Sequence, residues 1–346
     1  MIKDEEKIPV FIFTGFLGSG KTTLLKALLD SEGFGETAVL INEFGEVGLD
    51  QFLVGDVPVE NVILDNGCIC CSIRGDLLEA ITLLYSKRHS GEIPAFNRLV
   101  IETTGLADPA PIISTILNEP KLRNHFQIRK VITTVDMVNI NHHLLNEECM
   151  NQITAADHLI LTKTDLVTED IHPLITLLET YNSVASIINV QDAINSPGKM
   201  MSERVLNIMS NLTEFRSFKP ISTDILKPIV ASTSSFNVAH SHNGITSFCV
   251  VLKTPIDWSI FGIWLSMLLN RHGRDILRIK AILNIRESET PVILHGVQHL
   301  IHPPEHIDKW PDNDHNSKVI FILRKLNRED IERSLNTFLD RLKLND

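Results

Sequence analysis

Residues 15–22 read Gly-Phe-Leu-Gly-Ser-Gly-Lys-Thr, and this stretch decides the fold that the chain can adopt. It matches the pattern G-x-x-x-x-G-K-[ST] and follows residues 9–14, an apolar run rich in β-formers that predicts a strand. The leucine-rich residues 23–29 come next and predict a helix. This order is the context that the pattern requires for phosphate binding, whereas a glycine-rich turn that matched by chance would need no such flanks.

The residue types of this loop fit an anion cradle. Its glycines let successive backbone N–H groups face inward, and the helix that follows adds the positive end of its dipole. We expect the Lys21 amine to reach the β- and γ-phosphates of a nucleotide and the Thr22 hydroxyl to bind Mg²⁺, which prefers oxygen ligands. The candidate nucleotide-binding residues here are Gly15, Gly18, Ser19, Gly20, Lys21, Thr22 and Thr23.

Composition narrows the classes of protein to which the chain can belong. Its 346 residues include 32 Lys plus Arg against 43 Asp plus Glu, a formal net charge of −11 that opposes wrapping by nucleic acid. No run approaches the roughly 18 apolar residues of a membrane helix, and residues 1–7 lack the apolar core of a signal peptide. We therefore expect a globular, cytoplasmic protein that binds neither nucleic acid nor membranes.

Further apolar runs predict a sheet with helices on both faces. Segments with helical spacing, such as residues 77–85, lie between most of these runs, and this alternation indicates a mostly parallel α/β sheet. We expect residues 1–214 to form this domain. Its predicted strands beyond the first are residues 38–42, 62–64, 98–102, 131–135, 158–162 and 184–190.

The rest of the chain predicts a separate, smaller domain. Residues 215–243 contain two Lys-Pro pairs and a Ser/Thr-rich run, which is typical of a linker. Residues 244–346 then predict an α+β domain in the order βαβββα, with Asp257 as the N-cap of its first helix. The predicted strands are residues 245–252, 276–285, 292–301 and 318–323, and the predicted helices are residues 257–270 and 329–342.

A second motif concerns the base of the nucleotide. Residues 162–165, Thr-Lys-Thr-Asp, follow an apolar strand and have the [N/T]-K-x-D form found in GTPases. The Asp165 carboxylate can accept from both N1–H and the 2-amino group of guanine, and the stem of Lys163 can cover the base. We predict guanine recognition by Thr162, Lys163 and Asp165. The alternative is a polar helix start capped by Thr164 or Asp165.

The predicted strand at residues 98–102 ends in an acidic residue and is followed by Thr-Thr-Gly. We expect Glu102 to hold Mg²⁺ directly or through water, and the Gly105 amide to contact the γ-phosphate. The alternative is that Glu102 caps the following turn. Catalysis would rest on Lys21, Thr22 and Glu102, which position and neutralise the phosphates while water attacks. Asp136 ends another predicted strand and can either face the nucleotide or cap a helix.

Three of the five cysteines, Cys68, Cys70 and Cys71, lie within four residues, a spacing unlike that of a secreted disulfide framework. They precede a predicted helix at residues 74–88, and a helix N-terminus lowers thiol pKa values, which favours metal binding. Three thiolates can fill three corners of a Zn²⁺ tetrahedron, although soft ligands also accept Co²⁺ or Cu⁺. Three small buried residues or a redox-active dithiol remain the alternatives.

Other histidines and cysteines are weaker candidates for a metal site. On the predicted strand at residues 292–301, His295 and His299 would be about 13 Å apart at ~3.3 Å per residue, too far to share one ion. Cys149 and Cys249 have no ligand-like neighbours in sequence and are predicted to be packed.

Residues 42–50, Asn-Glu-Phe-Gly-Glu-Val-Gly-Leu-Asp, combine glycines and acids in a way that suits a switch loop. Carboxylates in this segment can reach either Mg²⁺ or a metal bound by the cysteines. If one loop touches both sites, nucleotide state and metal affinity are reciprocally coupled.

Taken in chain order, these motifs resemble those of the CobW/YjiA-type P-loop GTPases, which include zinc-regulated GTPase metallochaperones. The resemblance covers nearly the whole chain and rests most on a Cys-x-Cys-Cys loop between a P-loop and a Glu-x-x-Gly strand. It implies a slow GTPase that binds GTP, Mg²⁺ and zinc or a similar metal such as Co²⁺, and passes the metal to a client metalloprotein. It also implies that Cys68, Cys70 and Cys71 hold the metal, while residues 15–22 hold phosphates and residues 162–165 hold guanine.

Two departures from the family pattern concern details. Ile41 stands where some relatives have a glutamate before the Asn-Glu-Phe-Gly-Glu run. Only a short charged tail precedes Pro9, whereas eukaryotic-type members use an extension there to recognise a methionine aminopeptidase, so we do not expect that client.

Two other functions stay open: a zinc storage protein in which nucleotide is structural, and a P-loop kinase with redox-controlled cysteines. The oligomeric state also stays open.

Overall fold

The computed structural model describes residues 7–31, 34–42, 62–63, 69–73, 77–202, 244–286 and 288–343. These residues form two compact units. The first takes the described residues up to Thr176 together with residues 185–202, and the second takes Leu177–Val184 together with the described residues from 244 onward. The predicted linker at residues 215–243 lies outside the described residues, so the boundaries 1–214 and 244–346 stay a prediction.

A mostly parallel sheet forms the centre of the first unit, as predicted. Within the described part of the chain it has eight strands in the order β3-β4-β2-β5-β1-β6-β7-β8, and β3, at the edge, pairs antiparallel with β4. The strands are β1 (Ile8–Gly15), β2 (Thr37–Asn42), β3 (Val62–Ile63), β4 (Ile69–Ile73), β5 (Arg98–Glu102), β6 (Phe126–Asp136), β7 (His158–Thr162) and β8 (Ser186–Asn189).

Helices follow most of these strands and bury their faces, which is why β1 is apolar on both sides. Phe11 and Phe13 of β1, for example, pack with Leu24 and Leu28 in one buried cluster. The helices before residue 203 are α1 (Lys21–Leu29), α2 (Leu77–Ser90), α3 (Pro109–Asn118), α4 (Pro120–Arg123), α5 (Ile140–His143), α6 (Glu147–Ala155), α7 (His172–Tyr181), α8 (Val190–Asn195) and α9 (Pro197–Ser202).

The place of β1 between β5 and β6 determines where a ligand can bind. All three strands are parallel, so their carboxyl ends meet at one edge of the sheet. The register places Phe13 opposite Glu102 and Gly15 opposite Thr134 at that edge. Ligands of open α/β sheets bind in the crevice outside the carboxyl ends of the strands, and the glycine-rich loop lies there.

The second unit contains an antiparallel sheet in the order β12-β11-β10-β14-β9, with β13 paired to β11. Its long elements follow the predicted order βαβββα, and the Asp257 carboxylate accepts from Ile260 N at 3.0 Å as the predicted N-cap. The elements are β9 (Ile245–Leu252), α10 (Trp258–His272), β10 (Ile276–Leu283), β11 (Val292–Val297), β12 (Leu300–Ile301), β13 (Glu305–His306), β14 (Ser317–Arg324) and α11 (Arg328–Lys343).

The single strand predicted at residues 292–301 is wrong, because the chain turns back at Gln298, whose φ is +53°. β11 and β12 therefore pair with each other, and His302 N donates to His295 O at 2.9 Å. The two imidazole centroids lie 6.2 Å apart. Within the described residues, no group of three or more His, Cys, Asp or Glu side chains is placed to hold a metal ion.

None of the helices in the described part of the chain is both long enough and apolar enough to span a membrane.

An aromatic cluster forms the core of the second unit. Phe321 of β14 is fully buried, and its ring lies 5.8 Å from that of Phe248 and meets Trp264 edge-on at 6.3 Å. Trp264 Nε1 donates to Ser334 Oγ at 3.1 Å, which ties α10 to α11. The sheet, α10 and α11 therefore share one core.

We expect Phe321→Ala to lower the free energy of unfolding of the second unit by about 3–5 kcal/mol, because it leaves a cavity beside the rings of Phe248 and Trp264. Urea unfolding of the full chain, followed by tryptophan fluorescence, measures the change. Val251→Ala, at a side chain 49% exposed on β9, is the matched control and should change stability by less than ~0.5 kcal/mol. Equal effects of the two substitutions would contradict this account of the core.

Candidate functional site

The glycine-rich loop connects the end of β1 to the start of α1, as the sequence predicts. Gly20 precedes the helix with φ +89°, in the left-handed region that glycine favours. At Gly15, φ is +144°, and a Cβ atom would lie 2.3 Å from Thr134 Oγ1 and 2.6 Å from Thr134 O. The loop therefore presses against β6 at a point where only glycine fits.

The Lys21 side chain lies across this loop. Its amine donates to Gly15 O at 2.9 Å and to Phe16 O at 3.3 Å. These carbonyls hold a cation over the backbone N–H groups and the helix N-terminus that would face a bound phosphate. This placement fits the predicted contact between Lys21 and the β- and γ-phosphates.

The structure brings Thr22 and Glu102 together from positions 80 residues apart. Thr22 Oγ1 donates to Glu102 Oε1 at 2.5 Å, and Glu102 is 4% exposed at the end of β5. A hydroxyl and a carboxylate side by side are oxygen donors of the kind that Mg²⁺ prefers. The donor set therefore fits the magnesium site that the sequence predicts. The next backbone N–H group, that of Thr103, donates to Phe13 O at 2.9 Å.

Threonine and serine hydroxyls hold the phosphate loop to the strand ends. Ser19 Oγ and Thr134 Oγ1 are 2.7 Å apart, and both residues are buried. The Thr162 hydroxyl can donate to Ser19 O, at 2.8 Å, or to Val135 O, at 3.0 Å. Thr162, predicted as a base-binding residue, thus contacts the phosphate loop through its side chain. Sequence reasoning missed Thr134, although its place at a strand end beside the phosphate loop was the available signal.

The second motif lies at the same edge, after β7. Lys163 has φ +56°, and its amine donates to Asp136 Oδ2 at 2.6 Å. Residues Thr164–Leu166 form one turn of 3₁₀ helix, on which Asp165 is exposed. Asn189 Nδ2 donates to Thr164 Oγ1 at 3.1 Å, so the end of β8 supports the motif. The motif does begin a short helix, as the alternative interpretation expects. Its N-cap residue is Lys163, however, and neither Thr164 nor Asp165 caps it.

Asp136 anchors this arrangement, and its backbone contacts match the capping role, one of the two roles that the sequence allows for it; that it faces a nucleotide stays a prediction. Its carboxylate accepts from Val138 N at 3.0 Å and from Asn139 N at 3.2 Å, as a cap would, and also receives the Lys163 amine. Burial at 1% exposure raises the pKa of Asp136, but hydrogen bonds from Lys163 and Asn139 outweigh that effect and hold the pKa below its usual value. The carboxylate is therefore charged at neutral pH.

An aromatic contact closes one side of the loop. The rings of Phe16 and His143 lie 4.8 Å apart and are tilted by 51°. Burial and the charge of Lys163 lower the pKa of His143, although Asp136 opposes them, so its imidazole is neutral at physiological pH. This contact could not be predicted from local sequence, because it joins residues 127 positions apart.

The other predicted contact with the phosphates, Gly105, lies against the phosphate loop. A Cβ atom at Gly105 would lie 2.7 Å from Leu17 Cδ2 and 2.8 Å from Leu17 Cα and N. Two of those three atoms are backbone, so the loop cannot easily move aside. The structure thus brings Gly105, Lys21, Thr22 and Glu102 to one edge of the sheet.

The cysteines lie farther along the same sheet. Cys70 and Cys71 are in β4, where they pair with Val39 and Leu40 of β2, and Cys68 lies outside the described residues. The expectation that the thiols sit at a helix start is wrong for Cys70 and Cys71, because both lie in β4, which runs through Ile73.

The two isolated cysteines are packed, as predicted. Burial raises the pKa of Cys149 to about 12 and that of Cys249 to about 11, so both thiols are protonated at neutral pH. Of the predicted switch segment, residues 43–50 lie outside the described residues, whereas Asn42 ends β2.

Two models of known protein families match this chain. A family model for the CobW/HypB/UreG nucleotide-binding domain matches residues 9–189, and one for the cobalamin synthesis protein CobW C-terminal domain matches residues 245–339. The chain belongs to the CobW family. The phosphate loop and the Thr22–Glu102 pair described above lie within the matched nucleotide-binding domain.

Individual relatives agree with the CobW assignment. The chain is 33% identical over 337 residues to the zinc chaperone YjiA of Escherichia coli K12, a match that covers 94% of this chain and 96% of that protein. A crystal structure of Zn(II)-bound YjiA GTPase from E. coli superposes with a TM-score of 0.69 at 31% identity, covering 96% of this chain and 99% of that one. The zinc-regulated GTPase metalloprotein activator 1 of Schizosaccharomyces pombe is 37% identical over 193 residues, 53% of this chain and 46% of that protein.

The ion pair between Asp136 and Lys163 makes the stability of this CobW-family chain depend on pH. Because the folded pKa of Asp136 is lowered, its stabilising effect is present above the ordinary carboxyl pKa and is lost as pH falls through the folded value. We expect Asp136→Asn to cost about 1–2 kcal/mol at pH 7, a modest value because the Lys163 side chain is 35% exposed. Urea unfolding at pH 7 and near pH 3 measures the cost, which should shrink at the lower pH. A cost independent of pH would contradict the assigned charge.

Proposed function

We propose that this CobW-family chain is a GTP-hydrolysing metallochaperone, which holds zinc at Cys68, Cys70 and Cys71 and transfers it to a client metalloprotein. The observation that carries the proposal is the Thr22–Glu102 contact beside the phosphate loop, because it assembles the donors that a nucleotide-bound Mg²⁺ would need. The GTPase and zinc parts draw support from the zinc chaperone YjiA and from the Zn(II)-bound YjiA GTPase structure.

Hydrolysis would proceed by positioning and charge neutralisation. Lys21, held over the loop by two carbonyls, would bind the β- and γ-phosphates, and the Gly105 amide would donate to the γ-phosphate as water attacks it. Thr22 and Glu102 would hold Mg²⁺, which supplies charge neutralisation at the phosphate oxygens when it is bound. These contacts would orient the phosphates for in-line attack by water.

Guanine recognition would fall to the exposed Asp165 carboxylate. It lies on the 3₁₀ turn that Asn189 and the Lys163–Asp136 pair hold at the edge of the sheet. A carboxylate there can accept the two neighbouring N–H donors of guanine, whereas adenine lacks that donor pair.

Coupling between the nucleotide and the metal has a short physical route. Strand β2 lies between the cysteine strand β4 and β5, whose end carries Glu102, and neighbouring strands are about 4.8 Å apart. β2 pairs Leu40 with Cys71 on one side and Ile41 with Glu102 on the other, and it leads directly into residues 43–50. A movement of β2 or of the segment after it would therefore reach both sites.

We expect Asp165→Asn to change the preferred base from guanine toward xanthine. The amide cannot accept both guanine donors but can donate to the 2-oxo group of xanthine. Affinity for GTP should fall about 100-fold or more, and affinity for XTP should change far less. Competition binding with fluorescent nucleotides measures both. Equal losses for GTP and XTP would remove the guanine assignment.

Zinc affinity should depend on which nucleotide is bound. We expect zinc competition against a chromophoric chelator to give dissociation constants that differ by about tenfold or more between the GTP-analogue and GDP forms. Cys70→Ser should weaken zinc binding by about 100-fold or more, whereas Cys249→Ser, at a packed thiol, should leave it unchanged. Wild-type affinity in the Cys70 variant would exclude this site.

Phosphate release measured with and without Zn²⁺ separates the remaining functions. A metallochaperone should show GTP turnover that changes with zinc. Little turnover, with no dependence on zinc, would favour the storage protein. Transfer of the γ-phosphate to an acceptor other than water would favour the kinase.

A further inference from the structure

The loop after β5, residues 103–108, runs from the end of the Glu102 strand to the start of α3. Its first residue is bound to β1, because Thr103 N donates to Phe13 O at 2.9 Å and Thr103 Oγ1 donates to Thr14 Oγ1 at 2.8 Å. Gly105 then lies against Leu17 of the phosphate loop at a distance that admits no side chain. Any change in the orientation of this loop would therefore alter the backbone at the place where the terminal phosphate is expected.

Gln152 of α6 holds the middle of this loop from the protein interior. Its side chain is 0% exposed, and Nε2 donates to Gly105 O at 3.1 Å and to Ala107 O at 3.0 Å. The backbone carbonyl of Gln152 accepts from Thr133 Oγ1 at 2.9 Å, which fixes α6 to β6. One buried amide thus spans two carbonyls of the loop and is itself anchored to the central sheet.

The neighbouring residue of α6 holds the end of the same loop. Asn151 Nδ2 donates to Asp108 Oδ2 at 3.0 Å, while Asp108 Oδ1 accepts from Ala110 N as the N-cap of α3. Asn151 and Gln152 together therefore fix the loop at Gly105, Ala107 and Asp108.

We propose that Gln152 is a positioning residue that sets the orientation of Gly105 for recognition of the third phosphate, with Asn151 in a supporting role. Gln152 fixes the peptide plane that follows Gly105 Cα, and the bonds of Thr103 to β1 hold the chain before it, so the peptide between them, which carries the Gly105 N–H, is restricted from both sides. A buried carbonyl without a donor is destabilising, so the loop would change its orientation until the carbonyl is hydrogen-bonded again. The inference rests on the proposed GTPase function and names the residue that makes the site distinguish GTP from GDP.

Gln152→Leu tests the proposal, since leucine has similar size and no donor. We expect its affinity for GDP to stay within about twofold of wild type, because the phosphate loop and base motif are untouched, while affinity for a non-hydrolysable GTP analogue falls about tenfold. Single-turnover hydrolysis should fall by at least as much. The matched control is Thr154→Val, which removes a hydroxyl bonded only to backbone carbonyls of the same buried helix in the contacts described, Met150 O at 2.9 Å and Asn151 O at 3.2 Å, and which does not touch the loop.

Three results would overturn the proposal: an unchanged ratio of analogue to GDP affinity in Gln152→Leu, an equal loss for both nucleotides, or the same change in Thr154→Val. If Gln152→Leu does not fold by circular dichroism, Asn151→Ala decides, with an expected change in the same ratio of about threefold and no change overturning it. A wild-type chain that does not bind the analogue would refute the proposed GTPase itself, whereas an active wild type with an unaffected variant refutes only the role of Gln152.

Discussion

The parallel pairing of β1 with β5 on one side and β6 on the other is the constraint on which the nucleotide edge depends. It sets Phe13 opposite Glu102 and Gly15 opposite Thr134, so three chain segments end at the same level. Only this register lets the first turn of α1 present Thr22 to Glu102, and only a glycine can occupy the position where the loop meets β6. A slip of one residue in either pairing would turn these side chains to the opposite face of the sheet.

Two lysines at this edge are held in place by protein oxygens. Lys21 is held by two backbone carbonyls of its own loop, and Lys163 by a buried carboxylate. Because Lys163 is paired with the charged Asp136, a polyanion bound at this edge would find its positive partners in Lys21 and the N-terminus of α1. Because both amines already have defined positions, less side-chain freedom remains to be lost on binding, and this favours affinity.

Most elements of the fold could be predicted from local sequence. The phosphate loop, its flanking strand and helix, and the long strands of both units could be predicted because short-range pattern determines them. The hairpin at Gln298 was missed because a residue other than glycine takes positive φ there. The strand that contains Cys70 and Cys71 was missed because it is short and its cysteines were interpreted as a ligand loop at the start of a helix. The contacts of Gln152, Asn189 and Asp136 depend on sheet order, which spacing along one chain does not encode.

The aromatic core of the second unit has a spectroscopic consequence. The three tryptophans of the sequence are Trp258, Trp264 and Trp310, and all of them lie beyond residue 243. Tryptophan emission therefore originates wholly in the CobW C-terminal region, and the nucleotide-binding half contributes none. Any change in that emission when a nucleotide is added would be a direct optical signal of communication from one half of the chain to the other, obtained without attaching a dye.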